Sequence, residues 1–348
     1  MSLNKKLPIS AVSDVAGTTH FNIVTWTGDG NNNRAITGVG FQPGMVWIKK
    51  RSSGSSSNWR AFDSVRGADR SIMFDTMDAQ YPTPGTSHTP SNYLISFDSN
   101  GFTISSNSNV NGASETYVAF CWKLTHTTST NSDGARSATI AVNDDLGLSI
   151  STHTAVNNDT TTTVGHGLSA TPDFLIAKNL SNNSRAWRLF NRSSPSNKET
   201  FSSPSEEAAY SFFADPTSSI INIPVSTTVG TSSSDTPPGS IIAFWAMRNT
   251  NFMQFGTYEG SSSSVTVSGL PFQPRFIFTK NIDNGATFMR HYIQDTVRGL
   301  GKLLYLNESS QEGDFTNRVT MNTDGFTIAT GDTAINNNGD TFVYWVIK

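Results

Sequence analysis

Short apolar runs separated by polar, glycine-containing turns recur along the whole chain. Representative runs span 45–48, 241–245 and 342–346, and each is rich in β-branched and aromatic residues. A continuous apolar run of this length is typical of a strand that is buried on both faces. Asn100-Gly101 and Asp324-Gly325 are signals for β-hairpin turns between such strands. The pattern predicts an all-β protein built from antiparallel sheets.

One sequence pattern occurs three times. A turn with glycine and proline leads into an apolar strand, and a lysine follows the proline by six residues at Lys49, Lys178 and Lys280. The outer two copies share further motifs: Asp-Ser-Val-Arg-Gly at 63–67 matches Asp-Thr-Val-Arg-Gly at 295–299, at an offset of 232 residues. Aligning the tryptophans that close these two copies gives an offset of 223 residues. Near-constant offsets between several motifs indicate internal repeats.

The repeats predict three tandem antiparallel β-sandwich domains of the jelly-roll or lectin-like type. We expect a short N-terminal docking arm at 1–20, a first sandwich unit at 21–126, a second at 136–249 and a third at 250–348. The middle unit is divergent, because it lacks the Val-Arg-Gly and Gly-Phe-Thr-Ile motifs of its neighbours. We therefore count the middle unit as a copy of the repeat mainly because its first strand and its closing strand match those of the other two units.

The charge of the chain argues against several classes of partner. Of its 348 residues, 15% are charged, and the net charge is -3. A slightly acidic protein has no electrostatic attraction for the phosphates of nucleic acid or for anionic lipid. The apolar runs are far shorter than the roughly 20 residues that a membrane-spanning helix needs. We therefore expect neither a nucleic-acid partner nor insertion into a membrane.

The sequence contains no complete catalytic or metal-binding motif. The segment 29–33 resembles the opening of a calcium-binding loop, but Arg34 and Gly40 stand where its turn glycine and bidentate glutamate belong. Its six histidines are dispersed, and none is paired with another at the spacing of metal ligands. Asp144 and Asp145 are adjacent, and neighbouring side chains on a strand point to opposite faces. Glu206 and Glu207 lie in the first turn of a short predicted helix, where acidic side chains stabilise the helix dipole. We predict no catalytic residue, metal or cofactor, although carboxylates that are remote in the sequence could still converge in the fold.

An acid and an arginine recur ahead of a glycine in the outer two copies. Asp63 precedes Arg66 by three residues, and Asp295 precedes Arg298 by the same distance. Such a pair can bind a charged ligand group, or it can fix a turn through an ion pair. We interpret both pairs as a structural motif.

An aromatic residue follows each recurring lysine by eight to ten residues, at Trp59, Trp187 and Phe288. An exposed aromatic ring on a β-sandwich can stack on a sugar, whereas a tryptophan on a strand usually packs in the core. These three residues are the candidate ligand-binding residues of the sequence, and both interpretations remain open for them.

Several motifs carry a resemblance to a known family. They are Gly-Phe-Gln-Pro-x-x-Val-Trp-Ile-Lys at 40–49, the segments 59–67, 101–104 and 115–123 of the first copy, and the segments 164–168 and 172–179 of the middle copy. The first set resembles a domain common in bacteriophage virion proteins, especially those of marine and cyanobacterial phages. The middle copy resembles the related module of phage tail-fibre proteins. The resemblance implies a virion surface protein, made in the host cytoplasm, and brings no catalytic residues with it.

We therefore expect a non-enzymatic virion structural protein, foremost a tail-fibre or receptor-binding adhesin that contacts host surface glycan. The alternative is a capsid decoration or cement protein that bridges capsomers, and a glycan depolymerase is a third hypothesis. The expected partners are other virion proteins, bound through the arm at 1–20, and further copies of the chain in a homotrimer. Because the arm shows no heptad pattern, such a trimer would form through the β domains.

Overall fold

The computed structural model of the protein has an all-β fold, as the sequence predicts. Among the described residues, every strand ladder is antiparallel and each helix is a single turn. The structure describes residues 19–52, 56–83, 93–155, 161–183, 185, 187–193, 199–200, 215–224, 240–283, 290–315 and 318–348.

The elements fall into three consecutive sets, which we name the first, second and third repeats. The first repeat contains β1 (Phe21–Thr27), β2 (Arg34–Thr37), β3 (Pro43–Lys50), β4 (Arg60–Asp63), β5 (Gly67–Ile72), β6 (Leu94–Asp98), β7 (Gly101–Ile104), α1 (Ser108–Asn111) and β8 (Thr116–Lys123). The second contains β9 (Ser129–Asn131), β10 (Ala138–Asn143), β11 (Leu148–Thr154), β12 (Thr161–Gly165), β13 (Phe174–Asn179), β14 (Arg188–Asn191), β15 (Glu199–Thr200), β16 (Ile220–Pro224) and β17 (Ile241–Met247). The third contains β18 (Met253–Glu259), β19 (Val265–Val267), β20 (Phe276–Asn281), β21 (Tyr292–Asp295), β22 (Lys302–Tyr305), β23 (Gly313–Asp314), β24 (Val319–Asn322), β25 (Gly325–Ile328), α2 (Thr333–Asn336) and β26 (Thr341–Ile347).

Each repeat has one large sheet with the same strand order. The five-strand order that they share is β1-β8-β3-β4-β5 in the first repeat, β11-β17-β13-β14-β15 in the second and β18-β26-β20-β21-β22 in the third, where β23 adds a sixth strand beyond β22. Each repeat also has a small sheet, with the orders β2-β7-β6, β12-β16 and β19-β25-β24. The internal repetition indicated by the sequence motifs therefore extends to the topology.

The strands that follow the recurring prolines are buried along their whole length. In β3, Trp47 faces a core shared by the three repeats, whereas Val46 and Ile48 face a core within the first repeat. Because successive side chains of a strand point to opposite faces, burial on both faces requires an unbroken apolar run.

The largest core joins the three large sheets to one another. It contains Trp47 and Trp122 of the first repeat, Phe174 of the second and Trp345 of the third. The ring centroids of Trp122 and Trp345 are 6.0 Å apart, and those of Phe174 and Trp345 are 6.1 Å apart. Smaller cores lie within each repeat, between its large and small sheets. The repeats are thus packed against one another, and none has its whole core to itself.

The glycine of the shared Gly-Phe-Thr-Ile motif allows the backbones of the small sheet to approach closely. A Cβ atom on Gly101 would lie 1.9 Å from the carbonyl oxygen of Ile36, and one on Gly325 would lie 1.9 Å from that of Val267. Any side chain at either position would displace the neighbouring strand, so glycine is required there.

The strand registers correct one alignment made from the sequence. Trp47 lies opposite Phe120 in the first repeat, and its counterpart Phe278 lies opposite Trp345 in the third. Trp345 therefore corresponds to Phe120 and not to Trp122, a shift of two residues. The apolar pattern could not reveal the shift, because residues two apart on a strand face the same side.

The second repeat extends its large sheet beyond β11 with β10 and β9. The sequence predicts a threonine- and serine-rich linker between the first two units, at 125–134, yet β9 lies within it at Ser129–Asn131. β9 is an outermost strand with mostly exposed residues, and such a strand does not need the apolar side chains by which strands are recognised.

Candidate functional sites at the junctions between repeats

The recurring lysines, Lys49, Lys178 and Lys280, are buried near the ends of β3, β13 and β20. Lys49 Nζ donates to the backbone carbonyl of Glu308, in the third repeat, at 3.3 Å. Lys178 Nζ donates to the carbonyl of Met77, in the first repeat, at 2.8 Å. Burial lowers the pKa of Lys49 to about 8 and that of Lys178 to about 7. Both amines therefore link their own repeat to a neighbouring one.

The two candidate sugar-stacking tryptophans make equivalent contacts between repeats. The Trp59 indole Nε1 donates to the carbonyl of Tyr305 at 2.8 Å, and the Trp187 Nε1 donates to that of Met73 at 2.9 Å. Both side chains have 0% exposure, so neither ring offers a face to a sugar. At Trp59 and Trp187 the structure therefore agrees with packing in the core and not with stacking on a sugar. Phe288 lies outside the described residues.

The strand register also shows that the counterpart of Trp59 in the third repeat is not Phe288. Arg60 lies opposite Ile48, and Tyr292 lies opposite Thr279 at the same place in the third repeat. The residue before Tyr292 is His291, which is therefore the counterpart of Trp59. His291 is fully buried, and both burial and the nearby Lys280 lower its pKa well below the usual range. Loop lengths differ between repeats, so counting from the lysine selected Phe288 instead.

The two predicted acid–arginine pairs form buried ion pairs in the turns after β4 and β21. Asp63 Oδ2 lies 2.6 Å from Arg66 Nε, and its other oxygen accepts the backbone N–H of Arg66 at 2.9 Å. Asp295 and Arg298 make the same two contacts. Each pair closes a tight turn, as expected of a structural motif. The corresponding position of the second repeat is Asn191, opposite Phe174.

Both arginines also reach the closing strand of another repeat. The Arg66 guanidinium lies 5.7 Å from the ring centroid of Trp245, in the second repeat. The Arg298 guanidinium lies 5.8 Å from that of Phe120, in the first repeat. Trp245 and Phe120 occupy equivalent positions, because Trp245 lies opposite Ile176 and Phe120 lies opposite Trp47, and each of these partners is four residues after the recurring proline. These are cation–π contacts made at the same place in two junctions.

Backbone hydrogen bonds repeat in the same way. The N–H of Gln80 donates to the carbonyl of Leu180 at 2.9 Å, and the N–H of Glu312 donates to that of Arg51 at 3.2 Å. Gln80 and Glu312 are 232 residues apart, the offset of the Asp-x-x-Arg motifs. One head-to-tail interface is therefore used twice, between the first and second repeats and between the third and first.

A head-to-tail interface closes into a ring when its rotation permits. The remaining junction joins the second and third repeats, and there Phe174 stacks on Phe255 with ring centroids 4.9 Å apart. The last repeat of the chain thus contacts the first, and the three large sheets surround their shared core as a closed ring.

The two equivalent junctions differ in charge. In the third–first junction, the Glu312 carboxylate accepts from Arg298 Nη1 at 2.9 Å and from Arg51 Nε at 2.8 Å. In the first–second junction, Gln80 replaces Glu312 and Leu180 replaces Arg51. None of these four residues was singled out by the sequence analysis, although the constant offset would have paired Gln80 with Glu312.

A cavity of about 230 Å³ lies where the first–second junction lacks this charged network. Its lining residues combine two arginines with polar and aliphatic side chains: Val65, Arg66, Arg70, Gln80, Thr152, Leu180 and Ile241. We name this space the Gln80 cavity.

Two other chemically reactive side chains, Asp144 and Cys121, have structural partners or are buried. Asp144 accepts the backbone N–H of Ser169 at 2.9 Å and pairs with Arg248 at 3.2 Å. Cys121 is buried, and burial raises the pKa of its thiol. Glu206 and Glu207 lie outside the described residues. Within the described ranges, no group of three or more His, Cys, Asp or Glu side chains is placed to hold a metal ion, and no helix is long and apolar enough to cross a membrane.

Comparison with known proteins assigns the chain to a family. No curated protein matches it. The model of a family described as Domain of unknown function (DUF7483) matches residues 16–265 and, a second time, residues 248–348. The second match starts near the beginning of the third repeat, in keeping with the internal repetition. The chain is therefore a member of the DUF7483 family.

Proposed function

We propose that the protein is a non-enzymatic structural protein on the surface of a bacteriophage particle. One observation carries this proposal: the recurring lysines, tryptophans and acid–arginine pairs are used to hold the repeats together. Residue types that are common in catalytic sites thus stabilise the scaffold in this protein. The serine-, threonine- and asparagine-rich segments between strands suit contact with solvent. Because fold alone does not determine function, the phage assignment depends on the sequence resemblance.

Within this class we favour a tail-fibre or receptor-binding adhesin that contacts host surface glycan. The buried Trp59 and Trp187 take no part in that contact. Glycan binding is assigned instead to polar loops and to cavities that open between repeats. A capsid decoration protein is the second candidate, since three repeats in a ring suit a site of threefold symmetry on a capsid.

We also propose that each large sheet and its small sheet form one β-sandwich unit, which gives three tandem units. The separate apolar cluster between the two sheets of each repeat supports this division. Because the three units share one large core, we propose that they are closed into one ring.

The proposed partners are other virion proteins, bound through the arm at 1–20, and further copies of the chain. Of that arm, the structure describes Thr19 and His20, and the His20 ring packs on Phe252 with centroids 4.5 Å apart. The ring places the third–first junction within one chain. A homotrimer would therefore need surfaces outside these junctions.

Location on the particle tests the proposal directly. We would label intact particles of the encoding virus with an antibody against the protein and count the labels by electron microscopy. Labels at the tail tip are expected for an adhesin, and hundreds of labels on the head would favour the decoration protein. Absence of the protein from washed particles would reject both.

Cell binding separates the adhesin from other tail proteins. The purified protein should bind host cells saturably, and soluble host polysaccharide should displace it. Binding without loss of labelled polysaccharide would support the non-enzymatic assignment. Progressive loss of labelled polysaccharide, abolished by replacing a single carboxylate, would instead establish a depolymerase.

A further inference from the structure

The third–first junction shows how this interface binds a carboxylate. The Glu312 side chain is 9% exposed and lies between the guanidinium groups of Arg298 and Arg51. Although burial opposes ionisation, the two arginines hold the pKa of Glu312 below its usual value. Arg298 binds this carboxylate while it is also paired with Asp295. An arginine at this position can therefore serve two acids at once.

The first–second junction has the same arginine without the second acid. Arg66 pairs with Asp63, and its Nη1 donates to the backbone carbonyl of Arg70 at 3.0 Å and to Gln80 Oε1 at a long 3.3 Å. The neutral Gln80 amide brings no negative charge to the place that the Glu312 carboxylate occupies in the other junction. The Gln80 cavity lies beside this amide, which forms part of its wall.

A second cation borders the cavity. The side chain of Arg70 is 27% exposed, and its Nε lies 3.7 Å from Asp69, which is too long for a strong hydrogen bond. An incoming acid that reaches the guanidinium group would compete with this long ion pair. The apolar side chains of Leu180 and Ile241 form part of the wall and reduce the access of water to the charges.

We propose that the Gln80 cavity binds the carboxylate of an external ligand beside the Gln80 amide, and that this ligand supplies the negative charge that Glu312 supplies in the other junction. A volume of about 230 Å³ accommodates one small acidic unit. The assignment of that unit to an acidic sugar, such as a uronic acid, rests on the proposed function. The assignment to a carboxylate does not.

Isothermal titration calorimetry on the full chain tests the site with three probes. Glucuronate carries the carboxylate on a sugar, glucose is the matched neutral sugar, and glutarate carries carboxylates without a sugar. We expect glucuronate to bind with one site per chain and glucose not to bind. Binding of glutarate alone would support the carboxylate site and overturn its assignment to a sugar. Equal binding of glucose, or no binding of either acid at tens of millimolar, would overturn the proposal.

Two substitutions locate the binding. Gln80→Glu supplies an internal carboxylate, as in the other junction, and should weaken glucuronate binding at least tenfold. Gln42→Glu adds the same charge at an exposed position and should leave the affinity unchanged. If Gln80→Glu impairs folding, the partly exposed Arg70→Ala provides a second test and should also weaken binding at least tenfold. Unchanged affinity in a folded Gln80→Glu or Arg70→Ala protein would contradict the proposed site.

These outcomes are separable from the proposed function. The location of the protein on the particle does not depend on the Gln80 cavity, and titration with purified protein does not depend on the particle. Loss of the carboxylate site would therefore leave the virion assignment standing, and the converse also holds.

Discussion

Replacing Glu312 by glutamine removes the carboxylate that joins the third repeat to the first. The side chain accepts three hydrogen bonds from arginine, at 2.8 and 2.9 Å from Arg51 and at 2.9 Å from Arg298. Removing one partner of a buried ion pair leaves an uncompensated charge and costs about 3–5 kcal/mol. We expect Glu312→Gln to lower the free energy of unfolding by this amount, measured by urea denaturation at pH 7.

The second variant copies residues of the first–second junction into the third–first junction. Arg51→Leu gives the third–first junction the leucine found at position 180, and the double variant Glu312→Gln/Arg51→Leu reproduces the first–second junction at these two positions. Because the double variant leaves no unpaired partner at Arg51, its cost should be at least ~1 kcal/mol smaller than the sum of the single costs.

Glu308→Gln is the matched control. Its ion pair with Arg290 is much more exposed, with the arginine side chain 51% accessible. Exposed pairs contribute about 0–1 kcal/mol, so this variant should change the unfolding free energy little. A cost for Glu312→Gln no larger than for Glu308→Gln, or strictly additive costs in the double variant, would refute the charged network as a stabilising contact.

The remaining predictions concern the buried amines and indoles. Burial lowers the pKa of Lys178 from 10.5 to about 7 in the folded state. The unfolded state therefore binds more protons between these values, and stability should rise with pH across that interval. Lys178→Met should reduce this rise, as followed by urea denaturation at several pH values; an unchanged pH profile would show that the amine is not desolvated. Trp59→Phe removes the hydrogen bond to the Tyr305 carbonyl and should cost about 1–3 kcal/mol in thermal unfolding. The same variant should bind host cells as well as the unchanged protein does. A loss of cell binding without a loss of stability would instead indicate that Trp59 contacts the ligand.

The sequence predicted those features that depend on local pattern. The strands after Pro43, Pro172 and Pro274 are continuous apolar runs, and burial on both faces requires such runs. The turns with Asp63 and Asp295 were recognisable because the acid, the arginine and the glycine lie within five residues of one another. Local spacing and period therefore sufficed for the all-β class and for the repetition.

Features that depend on pairing between distant residues could not be predicted. A strand has a period of two, so the correspondence of Trp345 with Phe120 needed the observed register. Gln80 and Leu180 belong to no recurring motif, and they meet only because two repeats pack together. The Gln80 cavity is therefore a property of the ring and not of any single segment.

Closure of the ring can be tested most directly by disulfide trapping between the first and third repeats. The N–H of Ser57 donates to the carbonyl of Ser309 at 3.1 Å, and the chain has one native cysteine, the buried Cys121. In Ser57→Cys/Ser309→Cys, mild oxidation should form a disulfide within a single chain, detected as a cross-linked peptide from the monomer fraction. The single variants should give no such peptide. If the double variant cross-links only between chains, or not at all, the third repeat does not close on the first and the ring is wrong.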